Sequence, residues 1–238
     1  MHCHKVKICI PSGGMFAPGF RECLKTFEDT PNFLFFTEVR VSPDIDTAIN
    51  IMLNDRKVDY DAYLVLNDDV LCTFQDFKKL WDRNVPLITA AVPFKDDPRY
   101  FIAGDWERPG VAKNQISSES RGYYECDYAG FSCVLIRNSI LSKKLFPWVR
   151  RFVVKMPDGT YDQTSEDIGF YMNMAKTAGV KPMIDCEVVL KHVNRHHQDP
   201  DRITISLEKG LVPDLLAGIQ QLPAGSASLL LNELRTQI

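Results

Sequence analysis

Residues 60–69 read YDAYLVLNDD. The stretch 60–66 is short, apolar and rich in aliphatic and aromatic side chains, and it runs straight into Asn67, Asp68 and Asp69. A run of that length, closed by turn-forming polar residues, predicts a buried strand that ends in an acidic loop. In an open α/β sheet, ligands bind beyond the carboxyl ends of the strands. Carboxylates standing there suit hard divalent cations such as Mg²⁺ or Mn²⁺, which in turn hold phosphate oxygens. The same triplet also suits a plain turn that stops a strand. On its own it does not separate the two.

The pattern around it sets the fold class. Residues 5–11 (KVKICIP), 33–41 (FLFFTEVRV), 85–92, 128–137 (YAGFSCVLIR) and 180–190 read as strands. Residues 18–27, 44–54, 73–83 and 165–178 carry apolar side chains at helical spacing. Strands alternating with helices over short connections predict an α/β domain with a mixed, mostly parallel sheet flanked by helices. The helix at 165–178 is well marked: Ser165 suits the N-cap, Glu166 and Asp167 suit the positive first turn, and Gly179 suits the C-cap. Residues 94–125 interrupt the rhythm with Lys95-Asp96-Asp97-Pro98 and Pro109-Gly110, and read as a loop or irregular hairpin over one sheet edge. A short helix is expected from Asn138. Beyond Val193 the chain changes character. Two amphipathic stretches, 207–221 and 226–234, are split by Pro223-Ala224-Gly225 and suggest a helical tail. The expected division is one domain over 1–193 and a helical C-terminal extension over 194–238.

Composition narrows the function classes. The chain has 238 residues, 45% of them hydrophobic, and a net charge of −3. That is enough apolar material for a real core without disulfides or structural metals, and too little basic excess for a general nucleic-acid binder. The seven cysteines are scattered and never form C-x-x-C, which argues against a disulfide framework or a zinc ribbon and favours a reducing, cytoplasmic setting. The N-terminus has no apolar core of a signal peptide, and no stretch approaches the ~18 apolar residues of a membrane span.

Two further features give the acidic strand end its weight. Ser165-Glu166-Asp167 opens a later helix, and His192 closes a later strand. A neutral imidazole is a good ligand for a transition-like divalent ion. His196 and His197 follow, but no H-E-x-x-H is present, so a histidine zinc site is disfavoured against a solvated loop. Ser12-Gly13-Gly14 after the first strand lacks the glycine pattern of a dinucleotide or P-loop site. Trp106 and Trp148 suit either stacking on a sugar face or packing in the core and its rim.

Taken in order, these segments resemble nucleotide-sugar-dependent glycosyltransferases with the GT-A (Rossmann-like) fold. KVKICIPSGG resembles the first strand and nucleoside-facing loop, and YLVLNDDV the strand bearing the D-x-D signature. DYAGFSCVLIRNSIL resembles the segment beside donor and acceptor, FPWV with SEDIGFYMNMAKTAGV the Glu-Asp helix region, and IDCEVVLKHV the closing strand with a metal-binding histidine. The resemblance spans about residues 5–193. It implies Asp69 and His192 as ligands of Mn²⁺ or Mg²⁺, and Asp167, with Glu166 beside it, as the base that deprotonates an acceptor hydroxyl in inverting members. It implies contacts of Pro11, Ser12, Asn67 and Asp68 with the nucleotide-sugar donor, a UDP- or GDP-sugar. Gly130 and Phe131 match the loop near the transferred sugar, and Trp148 is taken as a candidate to stack on it. Transfer would be of the hexosyltransferase type, to a glycan, protein or small-molecule acceptor that the residues do not specify.

Two positions depart from the family. Asn67 stands where the first Asp of D-x-D is expected, and Ala48-Ile49-Asn50 stands where Ala-Arg-Asn is common. These departures keep two other classes open: a catalytically weak sugar-nucleotide- or glycan-binding module, and another phosphate-handling α/β enzyme such as a nucleotidyltransferase.

Overall fold

The structure, a computed structural model, describes residues 3–193 apart from 56–57, 109–110, 142–145 and 157. The expected tail at 194–238 and the pair His196-His197 lie outside the described residues.

In chain order the elements are β1 (His4–Ser12), α1 (Phe20–Lys25), β2 (Phe33–Val41), α2 (Ile45–Asn54), β3 (Ala62–Leu66), β4 (Val70–Leu71), α3 (Phe74–Asp82), β5 (Leu87–Ala91), β6 (Tyr100–Arg108), β7 (Val111–Ser117), β8 (Tyr123–Glu125), β9 (Tyr128–Ala129), β10 (Cys133–Arg137), β11 (Val153–Lys155), β12 (Tyr161–Gln163), α4 (Glu166–Ala178), β13 (Met183–Val189) and β14 (Lys191–His192). A seven-stranded sheet has the order β2-β1-β3-β10-β5-β13-β8. β1 runs parallel to β2 and β3, and β13 parallel to β5, while β10 runs antiparallel to both β3 and β5. β8 is antiparallel to β13 at the edge. The sheet is therefore mixed and mostly parallel, as expected.

The central strands are buried on both faces, so they read as continuous apolar runs. Alternation still sorts their side chains. Val6, Ile8 and Ile10 of β1 and Ala62, Leu64 and Leu66 of β3 join one core with Phe20 of α1 and Phe77 and Leu80 of α3. Cys9, Tyr63 and Val65 join the other, with Ile49, Met52 and Leu53 of α2 and Phe170, Tyr171 and Met174 of α4. Helices thus cover both faces. Local chemistry sets their starts. Asp44 caps α2, and Thr73 with Asp76 forms a reciprocal capping box on α3. Gly179 ends α4 in the left-handed conformation, φ 65°. Charge is also buried inside the sheet: Lys7 of β1, 2% exposed, bonds Glu38 at 2.7 Å, Asp55 at 3.0 Å and the Met52 carbonyl at 2.9 Å.

Of the two readings of residues 94–125, loop or irregular hairpin, the structure has the hairpin: β6 and β7 pair antiparallel with shifts of register, and β9 lies on the other side of β6. Two expectations need correction. Residues 128–137 are two strands in two sheets, not one strand. The chain leaves the small sheet after Ala129 and enters the main sheet at Cys133. Gly130 lets the crossing pass close to β6, where a Cβ would stand 3.0 Å from the Ile102 side chain. The short helix after Asn138 is a single 3₁₀ turn, Asn138–Ile140. No helix among the described residues is long and apolar enough to cross a membrane.

Candidate functional site

The acidic triplet follows β3 directly, at the carboxyl edge of the parallel strands. The loop is tied on every side. Asn67 donates its backbone N–H to the Ser132 carbonyl at 2.9 Å, and the Asp68 carbonyl accepts from Ala17 N–H at 2.9 Å. β4 turns back at Val70 and pairs with β14, which places His192 opposite Val70. The Val193 N–H then donates to the Asp69 carbonyl at 2.8 Å. Residues 67–69 and 191–193, far apart in sequence, become one rigid corner.

Within that corner the two aspartates differ. Asp68 is 0% exposed, and the Ser12 hydroxyl donates to its Oδ2 at 2.6 Å. The same Ser12 oxygen accepts from Gly14 N–H at 3.0 Å. Asp68 therefore fixes the loop that follows β1, with Pro11 buried at its root. Asp69 Oδ2 faces His192 Nε2 at 3.4 Å and Lys95 Nζ at 3.1 Å. Burial would push the Asp69 carboxyl up, but hydrogen bonds from His192 and Lys95 outweigh it and hold the group at about 2. Asp69 stays a carboxylate at any physiological pH. His192 Nδ1 is buried and has no hydrogen-bond partner among the described residues.

The donor set suits a divalent ion of the Mn²⁺ or Mg²⁺ type held by one carboxylate and one imidazole, the remaining positions being left to phosphate oxygens and water. Among the described residues there is no group of three or more His, Cys, Asp or Glu side chains that would close a cage around a metal.

A second group of carboxylates stands where α2 and α4 begin. Arg151 bonds Asp46 Oδ2 at 2.9 Å and lies 3.8 Å from Glu166. Asp167 accepts from the Ser165 hydroxyl and from Ile168 N–H, the latter at 2.7 Å. Ser165 thus spends its hydroxyl on Asp167, rather than on a free N–H of the helix as a capping serine would. Burial nonetheless raises the Asp167 carboxyl above its ordinary value, outweighing those hydrogen bonds. Glu166 is raised for the same leading reason. The pull of the helix N-terminus is outweighed at both residues.

Residues 128–132 join the two groups. Phe131 packs on Phe170 of α4 with ring centroids 4.7 Å apart, and the Gly130 carbonyl accepts from the Tyr171 hydroxyl at 3.4 Å. At the other end of the segment, Ser132 holds Asn67. Gly130 and Phe131 are buried spacers between α4 and the acidic corner.

Trp148 is a correction. It is 0% exposed and packs edge-on against Phe146 at 5.2 Å, so its ring offers no face to a sugar. Its segment is clamped by two amides. Asn50 bonds the Val149 N–H and carbonyl at 3.0 and 2.7 Å, and Asn173 donates to the Pro147 and Trp148 carbonyls at 3.2 and 3.0 Å. Trp106 packs on Tyr128 at 4.4 Å. Lys95 is the residue that sequence patterns did not single out. The available signal was its place just past β5, another carboxyl end of the parallel set.

No family model matches this chain, and no curated protein matches it. Solved structures do show likenesses. The catalytic domain of Drosophila beta1,4galactosyltransferase 7, in complex with xylobiose, is 14% identical over 82% of this chain and 74% of its own, with a TM-score of 0.49. A197 from STIV is 14% identical over 81% of this chain and 95% of its own, with a TM-score of 0.47. The nucleoside-diphosphate-sugar pyrophosphorylase from Vibrio cholerae RC9 is 14% identical over 86% of this chain and all of its own, with a TM-score of 0.41. All three are remote in sequence.

Proposed function

We propose that this protein transfers a sugar from a nucleotide-sugar donor to an acceptor hydroxyl, with a divalent ion held by Asp69 and His192. The observation that carries the proposal is the corner itself: a deeply acidic carboxylate 3.4 Å from an imidazole, fixed by backbone pairing at the carboxyl edge of the sheet. Bound Mn²⁺ or Mg²⁺ would supply Lewis-acid stabilisation of the leaving diphosphate. The chain's own residues do the rest. Asp68 and Ser12 set the shape of the loop after β1, where the nucleoside is expected, with Pro11 at its root and Asn67 next to Asp68 in the chain. Asn67 is neutral, so it offers the donor a hydrogen bond without adding charge to the site. Asp167 takes the acceptor proton at its carboxylate. Its partial burial raises its basicity toward that of a working general base. Arg151 pairs with Asp46 and lies 3.8 Å from Glu166, so the negative potential at the helix starts stays bounded.

The test is release of nucleoside diphosphate from a panel of UDP- and GDP-sugars, with Mn²⁺ and with EDTA. Metal-dependent release with at least one donor is expected; no turnover with any donor under either condition removes the enzyme. A second reading, a sugar-nucleotide-binding module without transfer, is favoured by Asn67 at the signature position. It is distinguished by donor binding without turnover.

A further inference from the structure

We infer that Lys95 is a releasable internal cation: its ammonium holds Asp69 while the site is metal-free, and it passes to the donor's diphosphate when a divalent ion takes Asp69. The inference rests on the assignment of Asp69 and His192 as ligands. It adds a residue and an order of events.

The geometry sets up a competition. Lys95 Nζ contacts the same carboxylate oxygen, Asp69 Oδ2, that faces His192 Nε2, at 3.1 and 3.4 Å. A cation lodged between Asp69 and His192 would share that oxygen with the ammonium. Two positive centres on one oxygen repel strongly in a partly buried site. The three side chains also differ in freedom. Asp69 and His192 are 10% and 15% exposed, whereas Lys95 is 36% exposed, on a polar loop past β5. The anchors are fixed and the lysine stem is free to swing. A buried carboxylate without a cation would be costly, so beside the His192 imidazole Asp69 keeps one in either state, Lys95 or the metal.

Charge then dictates the order. Bare Mn²⁺ must displace Lys95 into solvent, with nothing to receive it. Mn²⁺ arriving with a nucleoside diphosphate brings phosphate oxygens that accept the ammonium. Metal and nucleotide therefore bind with positive coupling, and the coupling runs through Lys95.

The experiment measures Mn²⁺ affinity by electron paramagnetic resonance of the free ion, alone and with UDP or GDP, for the full chain, Lys95→Met and Lys95→Arg. The fold of each is checked by thermal melting. Lys95→Met is expected to tighten Mn²⁺ binding in the absence of nucleotide by about tenfold and to shrink the nucleotide's effect by a similar factor. Lys95→Arg, which keeps the positive charge, is expected to behave like the parent. Equal Mn²⁺ affinity in parent and Lys95→Met overturns the role of Lys95 while leaving the ligand pair in place. So does Lys95→Arg matching Lys95→Met. No Mn²⁺ bound by any of the three, with folds intact, overturns the ligand pair and this inference with it.

Discussion

Asp167 and Asp69 carry opposite electrostatic signatures. Burial raises the Asp167 carboxyl, so its charged form strains the folded protein. The strain is absent below the ordinary carboxylate value of ~3.9 and grows as the pH climbs through the raised value. Asp167→Asn is expected to raise the melting temperature at pH 7, by about 2–4 °C for each 1 kcal/mol relieved, and to lose that gain near pH 3. In a donor assay the same variant is expected to lose transfer and keep donor binding. A flat difference in melting temperature between pH 3 and 8 contradicts the sign. Asp69 is depressed to about 2, so its contribution is present above ~3.9 and fades as the pH falls toward about 2. Asp69→Asn is expected to lower the melting temperature at pH 7 and to make no difference near pH 2. Both residues were legible in the sequence because each stands at the end of a regular element. Trp148 was left between a sugar face and the core because a lone aromatic carries no sign of which way it faces; two amides distant in sequence, the half-buried Asn50 and the buried Asn173, hold its segment with the ring inward. Lys95 was missed because its meaning comes only from what lies across the loop.

At the scale of elements, capping was readable in part: Gly179 ends α4 as expected, while the Ser165 hydroxyl bonds Asp167 and caps no N–H of the helix. Thr73 and Asp76 open α3 with a capping box that the sequence reading did not single out, and the structure completes both bonds. Thr73→Ala is expected to cost ~1 kcal/mol, read as a lower urea midpoint with an unchanged slope. α4 offers a sharper case. At Gly169 a Cβ would lie 1.8 Å from the Arg150 carbonyl oxygen, so the helix meets the clamped segment before it with no room for a methyl group. Gly169→Ala is expected to cost at least the ~1–3 kcal/mol of an overpacked core, and to disturb the Arg151 contacts with Asp46 and Glu166. A variant with unaltered melting temperature would mean that the segment yields easily. Nothing in the sequence marked this glycine, since the backbone it meets lies outside its own helix. The strand pattern at 128–137 failed for a related reason. Its apolar run is continuous, but the partners of its two halves are β6 on one side and β3 and β5 on the other.

For the molecule as a whole, the alternation of strands and helices gave the class of fold correctly, because a doubly covered sheet leaves a period that survives in one dimension. The strand order did not follow from it. β10 enters between β3 and β5 in the opposite direction, a long-range choice that local patterning does not encode. The central insertion was legible only as an interruption, although its hairpin supplies the Ile102 carbonyl, which accepts the Gly130 N–H at 2.6 Å.

The distribution of thiols gives the protein a built-in clock. Cys3 is exposed and Cys23 half-covered, while Cys9, Cys72, Cys126, Cys133 and Cys186 are buried in strands or beside them. Burial pushes the Cys126 thiol to about 12 and that of Cys186 to about 11, so neither supplies thiolate in the closed protein. A coloured disulfide reagent should therefore titrate Cys3 at once and Cys23 more slowly. The other five should report the rate at which their own strands open. Mass spectrometry of the time course would rank the strands by how often each lets in solvent, without a single engineered label.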